Sequence, residues 1–323
     1  MTTGFKSAWA ADLRAFLAFK RALGYPYQRA AFTLRALDRY LGRSGARRDG
    51  QRLYQNILAW IERQPGRKPV SVAGELAVVR QFYAFLQRQG RRLPEPGWPQ
   101  LPATSEYLPH IFTTGEVRRL LRLTRRLGGH PFRRLTYRML ILVLYCTGLR
   151  LGEALRLRLC DVDRATGTLF IVTSKGRSRW VPCHRSLSRE LVSYLSARTA
   201  FAPAGSEAFV FIGLDRNRQP TGRLATKIAS DGLRALLRTA GLKPAAGRIG
   251  PRPYDFRHAF AVHRLTRWYR SGVDLQARLP WLSAYMGHDN LLGTETYLTA
   301  TPELLALAAS RFRRRLATRH AVR

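Results

Sequence analysis

Three cysteines in 323 residues, Cys146, Cys160 and Cys183, are too few for a disulfide framework. None has CxxC spacing, which argues against a structural zinc site and fits a reducing cytoplasm. No run of about 18 uninterrupted apolar residues occurs, so no membrane partner is expected. The opening "MTTGFKSAWAADL" lacks the charged, apolar and small-residue order of a signal peptide. There is no repeat of about 20–50 residues and no low-complexity tract, which excludes solenoids and arrays. Acidic residues are also scarce. Asp and Glu total 20, and no carboxylate cluster suited to Mg²⁺ is found. No cofactor is expected.

What is present is basic charge. Lys and Arg total 56, for a formal net charge of +36, and only six of them are lysines. The charge runs along the whole chain. A folded protein this basic repels itself unless it meets a polyanion, and nucleic acid is the leading partner because phosphate neutralisation releases counterions. A genome rich in arginine codons would explain arginine over lysine, but not the scarcity of acids. The 46% hydrophobic content supports real cores, and the length suits two domains.

Residues 1–92 read as a helical bundle. Phe5, Trp9, Leu13, Phe16 and Leu17 recur at helical spacing before Gly24. Three further segments follow, marked by Phe32–Leu41, Leu53–Ile61 and Val72–Leu86. Five prolines then fall between positions 93 and 110, which reads as an extended linker. A second domain, 111–323, opens with Thr113 and Glu116 at capping-box spacing. It mixes a buried helix ending at Gly148, a hairpin with strands 168–173 and 179–182, and helices near 186–198, 224–240, 255–271 and 275–286. A last helix runs through "TPELLALAASRFRRRLA". The fold class is therefore mainly α with a small β-sheet.

Four short stretches carry candidate chemistry. In "TGLRLGEALRL", Arg150 stands at a helix junction and Glu153 shares its face, placed to orient the guanidinium. The plainer alternative is a surface Arg–Glu pair. In "TSKGRSRW", Lys175 is the only lysine between Lys68 and Lys227, at a hairpin tip. Lysine can give up a proton where arginine cannot. In "PYDFRHAF", Arg257 and His258 open a helix, and an arginine at a helix N-terminus suits a phosphate. In "MGHDNLLGTETY", His288 is followed nine residues later by Tyr297.

Together, Arg150, Lys175, Arg257, His288 and Tyr297, in that order in a basic two-domain chain, resemble the tyrosine recombinase (phage integrase) family. The resemblance spans nearly the whole chain. It implies an N-terminal helical core-binding (SAM-like) domain and a catalytic domain that form a C-shaped clamp on DNA. It also implies a C-terminal interaction helix. Tyr297 would be the nucleophile, forming a 3′-phosphotyrosine link. Arg150, Arg257 and His288 would bind the phosphate, and Lys175 would protonate the leaving 5′-oxygen. Glu153 and His258 would be auxiliary. The implied enzyme needs neither metal nor ATP. Its partners would be double-stranded DNA with inverted-repeat core sites, a homo-tetramer in the synaptic complex, and a partner recombinase or directionality factor. The expected location is the bacterial cytoplasm, with the nucleoid.

One position departs from the pattern. Three residues before Arg257, where relatives most often have histidine, stands Tyr254. A phenol with a pKa near 10 is a poor general base at neutral pH, but it can donate a hydrogen bond. The roles open on sequence alone are a recombinase of a mobile element, a chromosome-dimer resolvase, a non-catalytic DNA-binding regulator on the same fold, and a type IB topoisomerase.

Overall fold

The computed structural model describes residues 4–45, 48–62, 67–101, 107–172, 178–202, 205–215, 217, 219–247, 249–288, 290, 292–295, 297 and 309–310. The chain divides into two compact units, Met1–Tyr107 and Leu108–Arg323.

Among its described residues, the first unit holds four helices, α1 (Ala10–Ala22), α2 (Gln28–Arg43), α3 (Gly50–Glu62) and α4 (Pro69–Arg88). Most apolar positions read from the sequence form its core: Leu13, Phe16, Leu37, Leu41, Ile57, Val79 and Phe82 are all fully buried. Phe32 does not, because it lies on the outer face of α2 at 67% exposure, and Leu34 fills the core in its place. Helix α1 starts later than its apolar pattern, because Trp9 tucks its ring into the core from the N-cap position. Burying apolar surface of this kind stabilises such a bundle by about 25 cal/mol per Å². Asp12 is buried yet paired, with Arg48 at 2.8 Å and Arg91 at 3.0 Å.

The proline-rich segment corrects an expectation. Its first part has no regular structure, but it is not a free tether. Trp98 packs edge-on against Tyr54 and Tyr83. The Tyr83 hydroxyl donates to Pro94 O at 2.8 Å, and the Tyr54 hydroxyl donates to Gly97 O at 2.9 Å. Tyrosine hydroxyls satisfy carbonyls that proline-rich backbone leaves without a regular partner. Residues up to Leu101 thus belong to the N-terminal core.

The second unit opens with α5 (Thr114–Thr124), capped reciprocally by Thr113 and Glu116 as the spacing predicts. Helix α6 (Pro131–Thr147) is its buried centre. Around it stand α7 (Leu151–Arg156), α8 (Arg185–Thr199), α9 (Thr226–Thr239), α10 (Asp255–Arg270), α11 (Leu275–Met286) and α12 (Leu292–Glu295). A three-stranded antiparallel sheet runs β1 (Val162–Asp163), β2 (Thr168–Ile171) and β3 (Arg179–Pro182). A two-stranded ribbon, β4 (Ile212–Leu214) with β5 (Pro220–Arg223), was not expected from the sequence. Leu169, Ile171 and Val181 face the core, while Phe170 and Trp180 meet on the opposite face, ring to ring at 4.8 Å. Among the described residues, no helix is long and apolar enough to cross a membrane. Most of the expected last helix lies outside the described residues.

Candidate active site

Two helix ends build the site. Helix α6 stops at Gly148, whose φ of 65° is left-handed. A Cβ there would sit 2.5 Å from the Phe260 ring, so glycine answers both the dihedral and the space. The chain turns, buries Leu149, and presents Arg150 as the N-cap of α7. Glu153, one turn on, accepts from the Arg150 backbone N–H at 3.0 Å and from its guanidinium at 2.9 Å. Glu153 thus meets Arg150 as its spacing suggested, and it is buried rather than at the surface.

Helix α11 ends at Gly287, also left-handed with φ 67°. His288 N–H bonds Ser283 O at 3.0 Å and Gly287 N–H bonds Ala284 O at 3.1 Å. This is the Schellman closure, which satisfies those two carbonyls of the last turn. The next three carbonyls each receive an arginine. Arg179 Nε donates to Tyr285 O at 2.8 Å. Arg257 Nη2 donates to Met286 O at 2.7 Å. Arg150 Nη1 donates to Gly287 O at 3.2 Å. Cations at a helix C-terminus are favoured by the macrodipole as well as by the unsatisfied carbonyls. Arg257 also donates from Nη1 to Gly148 O at 2.7 Å. One buried guanidinium therefore ties together the ends of α6 and α11, the two turns that carry Arg150 and His288.

Tyr297 completes the group. It is 3% exposed. Its ring lies 6.1 Å from His288 and 5.4 Å from His258. The ring of His258 in turn meets that of Tyr254 at 5.1 Å. Thr294 connects the two halves of the motif: its hydroxyl lies 2.7 Å from His288 Nδ1, and its carbonyl accepts from Tyr297 N–H at 3.0 Å. Tyr254 stands at the N-cap of α10, 43% exposed.

The electrostatics follow from burial and charge. Burial raises the Tyr297 phenol, and a bond to Arg257 with the charges of Arg257 and Arg150 offsets part of that rise. Burial lowers Arg257, and the like charge of Arg150 adds to this. Burial works against the Arg150 charge too, but Glu153 and Tyr254 outweigh it, so Arg150 lies above its ordinary value. Glu153 sits below the usual carboxylate range, because bonds from Arg179 and Arg150 outweigh its burial. Burial and neighbouring Arg257 lower His258, partly offset by Asp255.

Of the residues named from the sequence, the structure gathers Arg150, Glu153, Tyr254, Arg257, His258, His288 and Tyr297 in the second unit. Lys175 lies outside the described residues. Two members were missed. Arg179 had a legible signal, since the strand's period of two turns it to the same face as Val181. Thr294 had none beyond standing three residues before Tyr297. Among the described residues, no three His, Cys, Asp or Glu side chains group to hold a metal ion.

Residues 111–303 match the model of the phage integrase family. The candidate integrase/recombinase y4rB of Sinorhizobium fredii (strain NBRC 101917 / NGR234) is 35% identical over 265 residues, spanning 80% of this chain and 83% of that one. The tyrosine recombinase XerD of Caulobacter vibrioides is 29% identical over 75% of this chain and 74% of its own. In fold, the chain is similar to the Tn1549 transposon integrase solved with transposon right-end DNA. The TM-score is 0.65 at 18% identity, over 93% of this chain and 99% of that one.

Proposed function

The chain belongs to the phage integrase family, and from that premise we propose that it is a site-specific DNA recombinase working through a tyrosyl-DNA intermediate. The observation that supports the reading best is the junction of Arg150, Arg257, His288 and Tyr297 at the ends of α6 and α11. Arg257 is bonded to both turns, and its charge offsets part of the effect of burial on the Tyr297 phenol.

The proposed chemistry follows from that geometry. Two guanidiniums bind the non-bridging oxygens of a phosphodiester with charge-assisted bonds. Charge builds on those oxygens in the transition state, so fixed donors lower the barrier. Tyr297 Oη attacks phosphorus and loses its proton to water. The bond to the 5′-oxygen breaks, and Lys175 protonates that oxygen as it leaves. The product is a 3′-phosphotyrosine and a free 5′-hydroxyl. Another strand's 5′-hydroxyl then reverses the step, because the covalent link conserves the bond energy. Tyr254 donates a hydrogen bond to the phosphate.

The proposed substrate is duplex DNA with inverted-repeat core sites, and the net charge of +36 suits it. Recombination would take place in a homo-tetramer joined through the C-terminal helix, with a partner recombinase or directionality factor. We propose integration, excision or transposition of a mobile element as its role, in the bacterial cytoplasm at the nucleoid. The test is to denature cells carrying the native flanking DNA and sequence the DNA still attached to the protein. A sharp peak with wild type and none with Tyr297→Phe is expected. Attachment of no DNA, with normal non-covalent binding, would leave a DNA-binding regulator. Attachment spread without any preferred site would leave a topoisomerase.

A further inference from the structure

Arg179 has no place in the chemistry above, yet its contacts run through the middle of the site. Its guanidinium reaches both carboxylate oxygens of Glu153, at 3.1 and 3.4 Å, and its Nε holds Tyr285 O at 2.8 Å. Its side chain is 10% exposed and that of Glu153 is 3% exposed. The fit is close enough that a Cβ on Gly287 would fall 2.5 Å from Arg179 Nη1. A single side chain therefore joins β3, the carboxylate that orients Arg150, and the turn that carries His288.

The charge count gives this arrangement a purpose. Glu153 is a buried anion beside a site that must attract a phosphate. Paired with Arg150 alone, it would cancel the charge Arg150 should offer to DNA. With Arg179 as a second partner, the carboxylate is balanced. Arg150 keeps its forked geometry and the site keeps a positive excess. We infer that Arg179 is a positioning residue that neutralises Glu153 and fixes Arg150 and the His288 turn for phosphate binding. Its place at the start of β3, four residues after Lys175, makes the base of the hairpin part of the same scaffold. The inference deepens the recombinase reading and rests on it for the identity of the phosphate.

A compensation experiment tests it. Arg179→Gln leaves Glu153 with only Arg150 to balance it. Single-turnover formation of the covalent DNA complex should slow by about 100-fold, the scale of losing a pre-organised electrostatic contact. DNA affinity should stay within about 3-fold, since phosphate contacts spread over the chain dominate binding. Adding Glu153→Gln removes the anion that then draws on Arg150 alone. The double variant should recover at least about 10-fold over Arg179→Gln, because the charge of Arg150 is again available to the phosphate rather than cancelled by the carboxylate. Arg179→Lys, which restores charge without the fork, should fall between Arg179→Gln and wild type. A packing role alone would make the double variant as slow as the single or slower, and that result overturns the inference. A DNA-free arm separates this from the wider reading. Orthovanadate should raise the thermal midpoint of wild type, raise that of Arg179→Gln less, and regain its effect in the double variant. A wild type that forms no covalent DNA would count against the recombinase reading, while the vanadate ranking would still decide the role of Arg179.

Discussion

Replacing Arg257 with lysine should separate the two jobs that the structure gives one side chain. Arg257 is 1% exposed and donates to Gly148 O and Met286 O, each at 2.7 Å. A lysine ammonium is a single point on a flexible stem and can serve one of those carbonyls. A hydrogen bond from a charged group contributes about 1.5–3 kcal/mol, so one lost bond should destabilise the second unit by about 2 kcal/mol. For a unit of roughly 200 residues that corresponds to a midpoint lowered by about 4–8 °C. Circular dichroism at 222 nm on heating reads it, with Tyr297→Phe as a control that leaves both carbonyls bonded. Strand cleavage should fall by at least about 100-fold, because the bidentate hold on the phosphate is lost as well. If Arg257→Lys melts within about 1 °C of wild type, the tie between the ends of α6 and α11 contributes nothing, against the expectation from charged hydrogen bonds.

Three further outcomes follow. Tyr254→Phe should reduce cleavage while Tyr254→His retains it, in a single-turnover assay; wild-type rates for Tyr254→Phe would remove Tyr254 from the chemistry. His258 is held below its ordinary value by burial and Arg257. Its unfolded form protonates near pH 6.5, so the folded state should lose stability as pH falls through about 6.5. His258→Gln should flatten that decline in urea titrations, and equal slopes would refute it. Gly287→Ala forces a side chain into a left-handed turn against Arg179. It should destabilise by about 1–2 kcal/mol and slow cleavage, read by urea midpoint and single-turnover rate.

Much of this was written in local patterns. The helical spacing of Leu53, Ile57, Trp60 and Ile61 marks the buried face of α3, and Thr113 with Glu116 marks the start of α5. Gly148 and Gly287 announce the two turns on which the site is built. Other features depend on partners far along the chain. The ribbon of β4 and β5 has a glycine and proline content that hides any alternation, and the strands are read only once paired. The proline-rich stretch looks like a tether until Trp98 is seen against Tyr54 and Tyr83, on two helices of the bundle. The same holds for Arg179. Its neighbours in sequence are a hairpin, while its contacts are Glu153 and the end of α11. With fifty arginines in the chain, composition gives no reason to single it out. Its inward position on a strand does, because an arginine turned toward a core needs an anion or carbonyls to meet it.

The most direct measurement is the site of covalent attachment. Protein captured on its native DNA would be treated with nuclease and protease, and its peptides weighed. The account predicts a nucleotide joined through its 3′-phosphate to the peptide containing Tyr297. A nucleotide on any other residue, or only unmodified peptides from protein that has cut its DNA, would contradict it.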